Sequence, residues 1–166
     1  MDINSVNRIY FVGIGGIGMS SLASYFLAKG YTVAGYDKTP SDLTHQLESQ
    51  GIDISYVDDL STLPEEFKNT EATLVVYTPA IPASSVLLNH FKNNNYHLYK
   101  RSYILGELSK NTKCLAVAGT HGKTSTSALL AHIMTFANTG ASAFIGGVLE
   151  NYSSNLIIGD KDISIV

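Results

Sequence analysis

The sequence predicts an α/β chain built from two successive units of strand, glycine-rich loop and helix. Three observations carry that prediction. Short β-branched and aromatic runs alternate with stretches of helical periodicity. Two glycine-rich loops, starting at Gly13 and at Gly119, each stand between such a run and such a helix. The composition also permits a packed core, with 45% hydrophobic and only 15% charged residues, against a usual charged share of about 25%.

The elements follow in order. Ile9-Tyr10-Phe11-Val12 is an apolar run that stops at glycines, which suits a strand covered on both faces. From 17 to 29 the apolar residues Ile17, Leu22, Ala23, Phe26 and Leu27 recur near helical spacing, and Gly30 follows as a stop. Residues 31–36 read as the second strand. Thr39-Pro40-Ser41-Asp42 marks a helix start, with Leu43 and Leu47 on one face and Gly51 at the end. Leu74-Val75-Val76-Tyr77 is a strand ending at Thr78-Pro79-Ala80-Ile81-Pro82, where two prolines remove ladder donors and block a helix. A helix over 84–92, a strand over 96–99 and a helix over 102–110 complete the first unit.

The second unit opens with the apolar run Cys114-Leu115-Ala116-Val117-Ala118, a loop over 119–122 and a helix over 123–136. Strands alternating with helices imply parallel sheets with right-handed crossovers. Asp162-Ile163-Ser164-Ile165-Val166 reads as a strand that stops in mid-pattern, which suggests a piece of a longer protein. The expected organisation is a nucleotide-binding unit over 1–107 and the start of a second over 108–166.

Composition removes several function classes. Eleven Lys and Arg against 14 Asp and Glu give a formal charge of −3, which supplies no attraction for nucleic acid or anionic lipid. The single cysteine, Cys114, has no intrachain disulfide partner and no zinc-spaced His or Cys around it. The start lacks a basic signal-peptide segment, and no apolar run approaches the ~20 residues that cross a bilayer. A cytoplasmic protein that binds neither membrane nor nucleic acid is expected.

Gly13-Ile14-Gly15-Gly16-Ile17-Gly18 matches the pattern GxGxxG between the first strand and helix. There Gly13 allows the tight turn, Gly15 lets the backbone approach a diphosphate and Gly18 permits close helix packing. The helix N-terminus adds unpaired N–H groups and positive potential. Asp37 falls nineteen residues after Gly18 at the end of the second strand, near the spacing at which an acid meets ribose hydroxyls. The same residues also serve a plain tight turn with a helix-capping acid. As a nucleotide site, the arrangement is Rossmann-like and specifies a diphosphate without specifying the nucleotide.

Gly119-Thr120-His121-Gly122-Lys123-Thr124-Ser125 is the sharper signal. GKT after an apolar strand and before a helix is the heart of a P-loop: backbone N–H groups cradle phosphates, Lys123 reaches the β- and γ-phosphates, and Thr124 offers its hydroxyl to Mg²⁺. The loop is shorter than the eight-residue form, whose first glycine would fall at Val117. His121 offers a polar contact and has no second metal ligand at zinc spacing.

The pair of loops, GIGGIGMS and then AGTHGKTS, resembles the Mur ligase family, in which the shortened P-loop is a hallmark. The resemblance extends more loosely through Thr78-Pro79-Ala80-Ile81, Arg101, Glu107-Leu108 and Phe144-Ile145-Gly146-Gly147. It implies that Gly13, Gly15, Gly16, Ile17, Gly18, Asp37, Thr78 and Ala80 hold UDP-N-acetylmuramic acid. Family members often carry Ser-Ser-Ala-Ile where this chain has Thr78-Pro79-Ala80-Ile81, so position 79 brings no side-chain donor and Thr78 retains a hydroxyl. It further implies that residues Gly119 to Ser125 hold ATP, with Lys123 as the catalytic electrostatic group and Thr124 as a Mg²⁺ ligand.

The implied reaction joins L-alanine to the muramyl carboxylate through an acyl phosphate. Family members carry an acidic Mg²⁺-binding motif and an amino-acid-receiving domain beyond the last strand of this chain, so the chain alone is expected to be inactive. A branch of the family attaching a whole tripeptide to the same UDP-sugar usually shows a bulky residue and Phe-Met in place of Gly16-Ile17-Gly18-Met19.

Two other classes compete. A nicotinamide-dependent oxidoreductase would use GIGGIG and Asp37 but has no use for GTHGKTS. A non-enzymatic nucleotide sensor would use both loops but shows no partner surface in the sequence. Among the 10 tyrosines, Tyr36, Tyr77, Tyr99 and Tyr103 fall near strand ends or helix starts and read mainly as packing residues, with base stacking open to Tyr36 and Tyr77. His45, His90, His97 and His132 read as structural or solvated, and Cys114 as a small core residue.

Overall fold

A computed structural model describes residues 6–166. The chain divides after Ile104 into two compact units.

In the first unit, β1 (Arg8–Val12), β2 (Thr32–Tyr36), β3 (Asp53–Ser55), β4 (Thr73–Tyr77) and β5 (His97–Lys100) form a five-stranded sheet in the order β3-β2-β1-β4-β5. Every pairing is parallel, with Arg8 opposite both Thr32 and Thr73. The helices are α1 (Ile17–Ala28), α2 (Asp42–Ser49) and α3 (Val86–Asn93), and α4 (Arg101–Lys110) begins directly after β5. Chain order reverses between β1 and β4, so the crevice outside the carboxyl ends of those strands is the place where sheets of this type hold ligands.

The sheet is covered on both faces, which is why its strands read as unbroken apolar runs. One face packs Tyr10, Val12, Val75 and Tyr96 with Leu87, Leu88 and Phe91 of α3 and with Phe67. Tyr10 meets Phe67 edge-on at 5.6 Å between ring centroids and Phe91 at 5.3 Å. The alternating residues Ile9, Phe11, Leu74 and Val76 are equally buried, as are Met19, Leu22 and Phe26 of α1. α2 starts at a capping box, in which the Ser41 hydroxyl accepts from Thr44 N–H and the Thr44 hydroxyl accepts from Ser41 N–H. The Asp58 carboxylate accepts from Val86 and Leu87 N–H and from the Ser85 hydroxyl, satisfying the start of α3 across the intervening chain.

In the second unit, β6 (Lys113–Leu115), β7 (Ser142–Leu149), β8 (Ser154–Ile157) and β9 (Ile163–Ile165) form a sheet in the order β6-β9-β7-β8, with α5 (Lys123–Phe136) packed on β7 and β9. The expected all-parallel pattern is corrected here. β6 and β7 pair with β9 in parallel, but β7 and β8 form an antiparallel pair whose register breaks between Phe144 and Leu149. The chain returns through residues 150–153, a turn ending at Ser153 with φ +47°, a tight reversal that needs no crossover helix.

The apolar centre of this unit is small: Ala131, Ala143, Ile145 and Ile165, with Leu115 and Met134 against them. Cys114, expected in the core, is only partly buried. No helix among the described residues is long and apolar enough to cross a membrane.

Candidate functional site

The first glycine loop leaves β1 at Val12 and enters α1 at Ile17. Gly13, at φ +88°, starts the turn. Gly13 N–H and Ile14 N–H both donate to the Tyr36 carbonyl, at 2.7 and 3.0 Å, which pins the loop to the end of β2. Gly15 N–H donates to Asp37 Oδ2 at 2.7 Å, and Asp37 Oδ1 accepts from Thr39 N–H at 3.2 Å. Asp37 therefore ties two loops together through its carboxylate. Beside it, burial first, then the Asp58 and Asp37 charges, raises the Tyr36 phenol above its ordinary pKa.

Thr78, at the end of β4, lies over the turn, its Cγ2 only 2.9 Å from where a Cβ on Gly13 would stand. The carboxyl ends of β1, β2 and β4 thus bring Gly13, Gly15, Asp37 and Thr78 together. Gly16 and Ile17 sit exposed at the start of α1, and Ala80 is exposed on the loop beyond Thr78. The α1 N-cap is Gly16, with no side-chain cap and no acid in the first turn. The carboxylate nearest that helix start by a hydrogen-bond contact is therefore Asp37, held on Gly15 N–H.

One residue beside this loop carried no role in the sequence reading. Arg101, the first residue of α4, lays its guanidinium against Gly18: a Cβ there would stand 2.7 Å from Arg101 Cζ and 3.1 Å from Nε. The sequence marked it only as one of the residues through which the family resemblance runs.

In the second unit, residues 119–126 are exposed. Gly122 is the N-cap of α5 at φ +74°, a left-handed conformation that a side chain would resist. Lys123 Nζ donates to the carbonyls of Gly119 at 2.6 Å and Thr120 at 3.2 Å, so the ammonium folds back over its own loop. Thr120, His121 and Ser125 are among these exposed residues. Gly146 and Gly147 of β7 pass beside Thr124: a Cβ on Gly146 would lie 3.4 Å from Thr124 Oγ1, and one on Gly147 3.1 Å from Cγ2. The glycine pair therefore lets the strand approach the loop, a reason that pattern alone does not reveal.

Among the described residues no group of three His, Cys, Asp or Glu side chains is placed to hold a metal. The Thr124 hydroxyl suits a single protein ligand to Mg²⁺, an ion that keeps most of its waters and shares phosphate oxygens.

A parallel five-stranded sheet in the order β3-β2-β1-β4-β5, with a glycine loop at its switch point, defines an α/β protein of Rossmann-like topology. A family model described as the Mur ligase family, catalytic domain, matches residues 8–113, and the chain belongs to that family. The UDP-N-acetylmuramate–L-alanine ligase of Parabacteroides distasonis is 52% identical over 167 residues, covering 100% of this chain and 36% of that protein. The corresponding ligase of Flavobacterium psychrophilum is 49% identical over 166 residues, covering 100% of this chain and 37% of that protein.

Among solved structures, the UDP-N-acetylmuramate-alanine ligase of Thermotoga maritima superposes with a TM-score of 0.83 at 27% identity, covering 95% of this chain and 36% of that one. The UDP-N-acetylmuramate:L-alanyl-gamma-D-glutamyl-meso-diaminopimelate ligase of Neisseria meningitides gives a TM-score of 0.83 at 25% identity, covering 96% of this chain and 52% of that one. The chain spans little more than a third of the length of the curated relatives it matches.

Proposed function

We propose that this chain carries the UDP-sugar site and the ATP phosphate loop of an ATP-dependent ligase that joins L-alanine to the carboxylate of UDP-N-acetylmuramic acid. The observation that carries the reading is the pair of glycine loops, each at the carboxyl end of its own sheet, in a chain about half identical to such ligases along its full length. The two solved neighbours superpose equally well, so fold does not separate L-alanine addition from tripeptide addition. Identity to the curated relatives favours L-alanine.

In this reading Gly13, Gly15, Gly16, Ile17 and Gly18 face the diphosphate, Thr78 donates its hydroxyl, and Ala80 keeps the neighbouring loop narrow. Asp37 holds the loop through Gly15 and keeps acceptor capacity for a ribose hydroxyl. In the second unit Gly119, Thr120, His121, Gly122 and Ser125 surround the ATP phosphates, and Thr124 would offer its hydroxyl to Mg²⁺, which would supply charge neutralisation at the phosphates when bound.

The muramyl carboxylate oxygen attacks the γ-phosphorus, the bond to the β-phosphate oxygen breaks and ADP leaves. The amine of L-alanine then attacks the acyl carbon, phosphate departs with the C–O bond pair, and the amine loses a proton. Lys123 answers the charge that spreads over the moving phosphoryl group. To do so it must exchange the Gly119 and Thr120 carbonyls for phosphate oxygens. ATP as co-substrate and an unpaired cysteine both suit the cytoplasm.

Calorimetric titration of the chain with UDP-N-acetylmuramic acid, Mg-ATP and NADH tests the reading. Binding of the sugar nucleotide and Mg-ATP with NADH silent is the expected result, with no phosphate release when all substrates are mixed with this chain alone. NADH binding with the UDP-sugar silent would overturn it.

A further inference from the structure

The amino ends of β4 and β5 carry a cavity that neither glycine loop uses. Its volume is about 350 Å³, at the lower end of the range of about 300–1,000 Å³ that small-molecule sites occupy. Leu60, Leu63 and Tyr96 give it apolar surface, and Lys68, Thr70, His90 and Asn94 supply polar groups. Lys68 and Thr70 lead into Thr73, the first residue of β4, and Tyr96 into His97, the first of β5. The glycine loop of the same sheet lies at the carboxyl ends of the strands, so the two places are separated by the length of a strand, about 16 Å for five residues.

The apolar wall is fixed by packing. Tyr96 is buried, its ring edge-on to Phe91 at 4.9 Å and tilted beside His90 at 5.8 Å, and its hydroxyl donates to the Lys68 carbonyl at 3.2 Å. Leu63 is buried as well, whereas Leu60 is 41% exposed at the rim.

The polar lining is rich in donors. Asn94 Nδ2 donates to the His90 carbonyl at 2.8 Å, which fixes the amide nitrogen on that side. The 3.2 Å contact of the same nitrogen with His90 Nδ1 therefore makes Nδ1 the acceptor and leaves the ring proton on Nε2. Neither His90 Nε2 nor the Thr70 hydroxyl has a hydrogen-bond partner among the described residues. Lys68 pairs with Glu65, whose side chain is 87% exposed. An ion pair so open to water is worth about 0–1 kcal/mol, so the ammonium is free to exchange it for a better partner. The lining residues bring one formal positive charge and no acid.

We propose that this cavity binds a small apolar carboxylic acid in its ionised form, its carboxylate accepting from the Lys68 ammonium, His90 Nε2–H and the Thr70 hydroxyl, and its hydrocarbon body lying against Tyr96, Leu60 and Leu63. A carboxylate supplies the acceptors that this donor set lacks and matches the single ammonium. A phosphate brings more charge than one ammonium answers and no body for the apolar wall. The site shares no residue with the glycine loops and stands apart from the reading of either.

The probe is 3-phenylpropanoate, followed by proton–nitrogen correlation NMR of the chain at pH 7, with 3-phenylpropanamide as its uncharged counterpart. Saturable shifts are expected at the amides of Leu63, Thr70, His90 and Tyr96, with Gly13 to Gly18 unmoved. The amide binds about tenfold or more weakly, the range for losing hydrogen bonds to a charged group. Lys68→Met keeps the stem and removes the ammonium; it weakens the acid by about tenfold and leaves the amide within twofold. Leu60→Glu, at an exposed position, sets a carboxylate at the rim and weakens the acid more than the amide. Shifts that do not saturate, or that fall away from these residues, overturn the proposal. Acid and amide binding within twofold of each other, or weakened equally by Lys68→Met, overturns it too.

Discussion

Tyr10 offers a test of the core that positions the first loop. It stands in the middle of β1, three residues before Gly13, and is 1% exposed. The ring is well placed against Phe67 and Phe91, but the hydroxyl is buried without a hydrogen-bond partner among the described residues. An unpaired buried polar group costs about 1–3 kcal/mol. Tyr10→Phe keeps the ring contacts and removes the orphan, so the variant should be more stable by about 1 kcal/mol or more at pH 7. For a unit of this size each kcal/mol corresponds to about 4–8 °C in melting temperature.

The same substitution carries a pH signature. Burial, with smaller contributions from Asp53, Asp58 and Tyr36, pushes the Tyr10 phenol far above its ordinary value near 10. A folded-state pKa above the unfolded one means that the contribution of the protonated phenol is fully present below about pH 10 and is lost as pH rises toward the folded value. Above pH 10 the parent chain should therefore lose about 1.4 kcal/mol per pH unit that the variant does not lose. Urea unfolding of both proteins from pH 7 to 11, followed by far-ultraviolet circular dichroism, reads both effects. A variant less stable than the parent at pH 7, or a stability difference that does not widen above pH 10, would refute the account.

Two further expectations concern packing and capping. Gly159 approaches Gly140 so closely that a Cβ would stand 2.0 Å from the Gly140 carbonyl oxygen, a backbone atom that cannot swing aside. Gly159→Ala should destabilise the second unit by about 1–3 kcal/mol or more, seen as earlier loss of amide protection in α5 and β7 with the first unit unchanged. Asp58→Ala removes three hydrogen bonds at the start of α3 and should cost about 1–2 kcal/mol in urea unfolding at pH 7. A loss under about 0.5 kcal/mol would show that Ser85 caps the helix by itself.

Much of the first unit was legible because local and tertiary demands agree there. α1, the capped start of α2 and the β4 run all carry punctuation at their ends, and burial on both faces of a parallel sheet leaves an apolar run that cannot be mistaken for surface. α5 over 123–136 follows the helix expected from the residues after Gly122. The second sheet was harder. The strand expected over 114–118 forms as β6 over Lys113–Leu115, and the pairing runs on beyond it in a bond from Val117 N–H to the Val166 carbonyl at 2.8 Å. β7 was missed because its central glycines look like a loop, and β8 because its partner was a hairpin rather than a crossover.

The sequence by itself determined the class of protein: glycines and a GKT triplet at the junctions of apolar runs and helices are local requirements of backbone geometry, written in consecutive residues. Tertiary structure decided how those junctions are staffed. That Asp37 binds Gly15 N–H from 22 positions away, and that Arg101 meets Gly18 from 83 positions away, are consequences of strand order and helix placement. No local pattern encodes them, because a side chain's partner across a sheet is set by which strands pair, and pairing is the outcome of burying both faces at once.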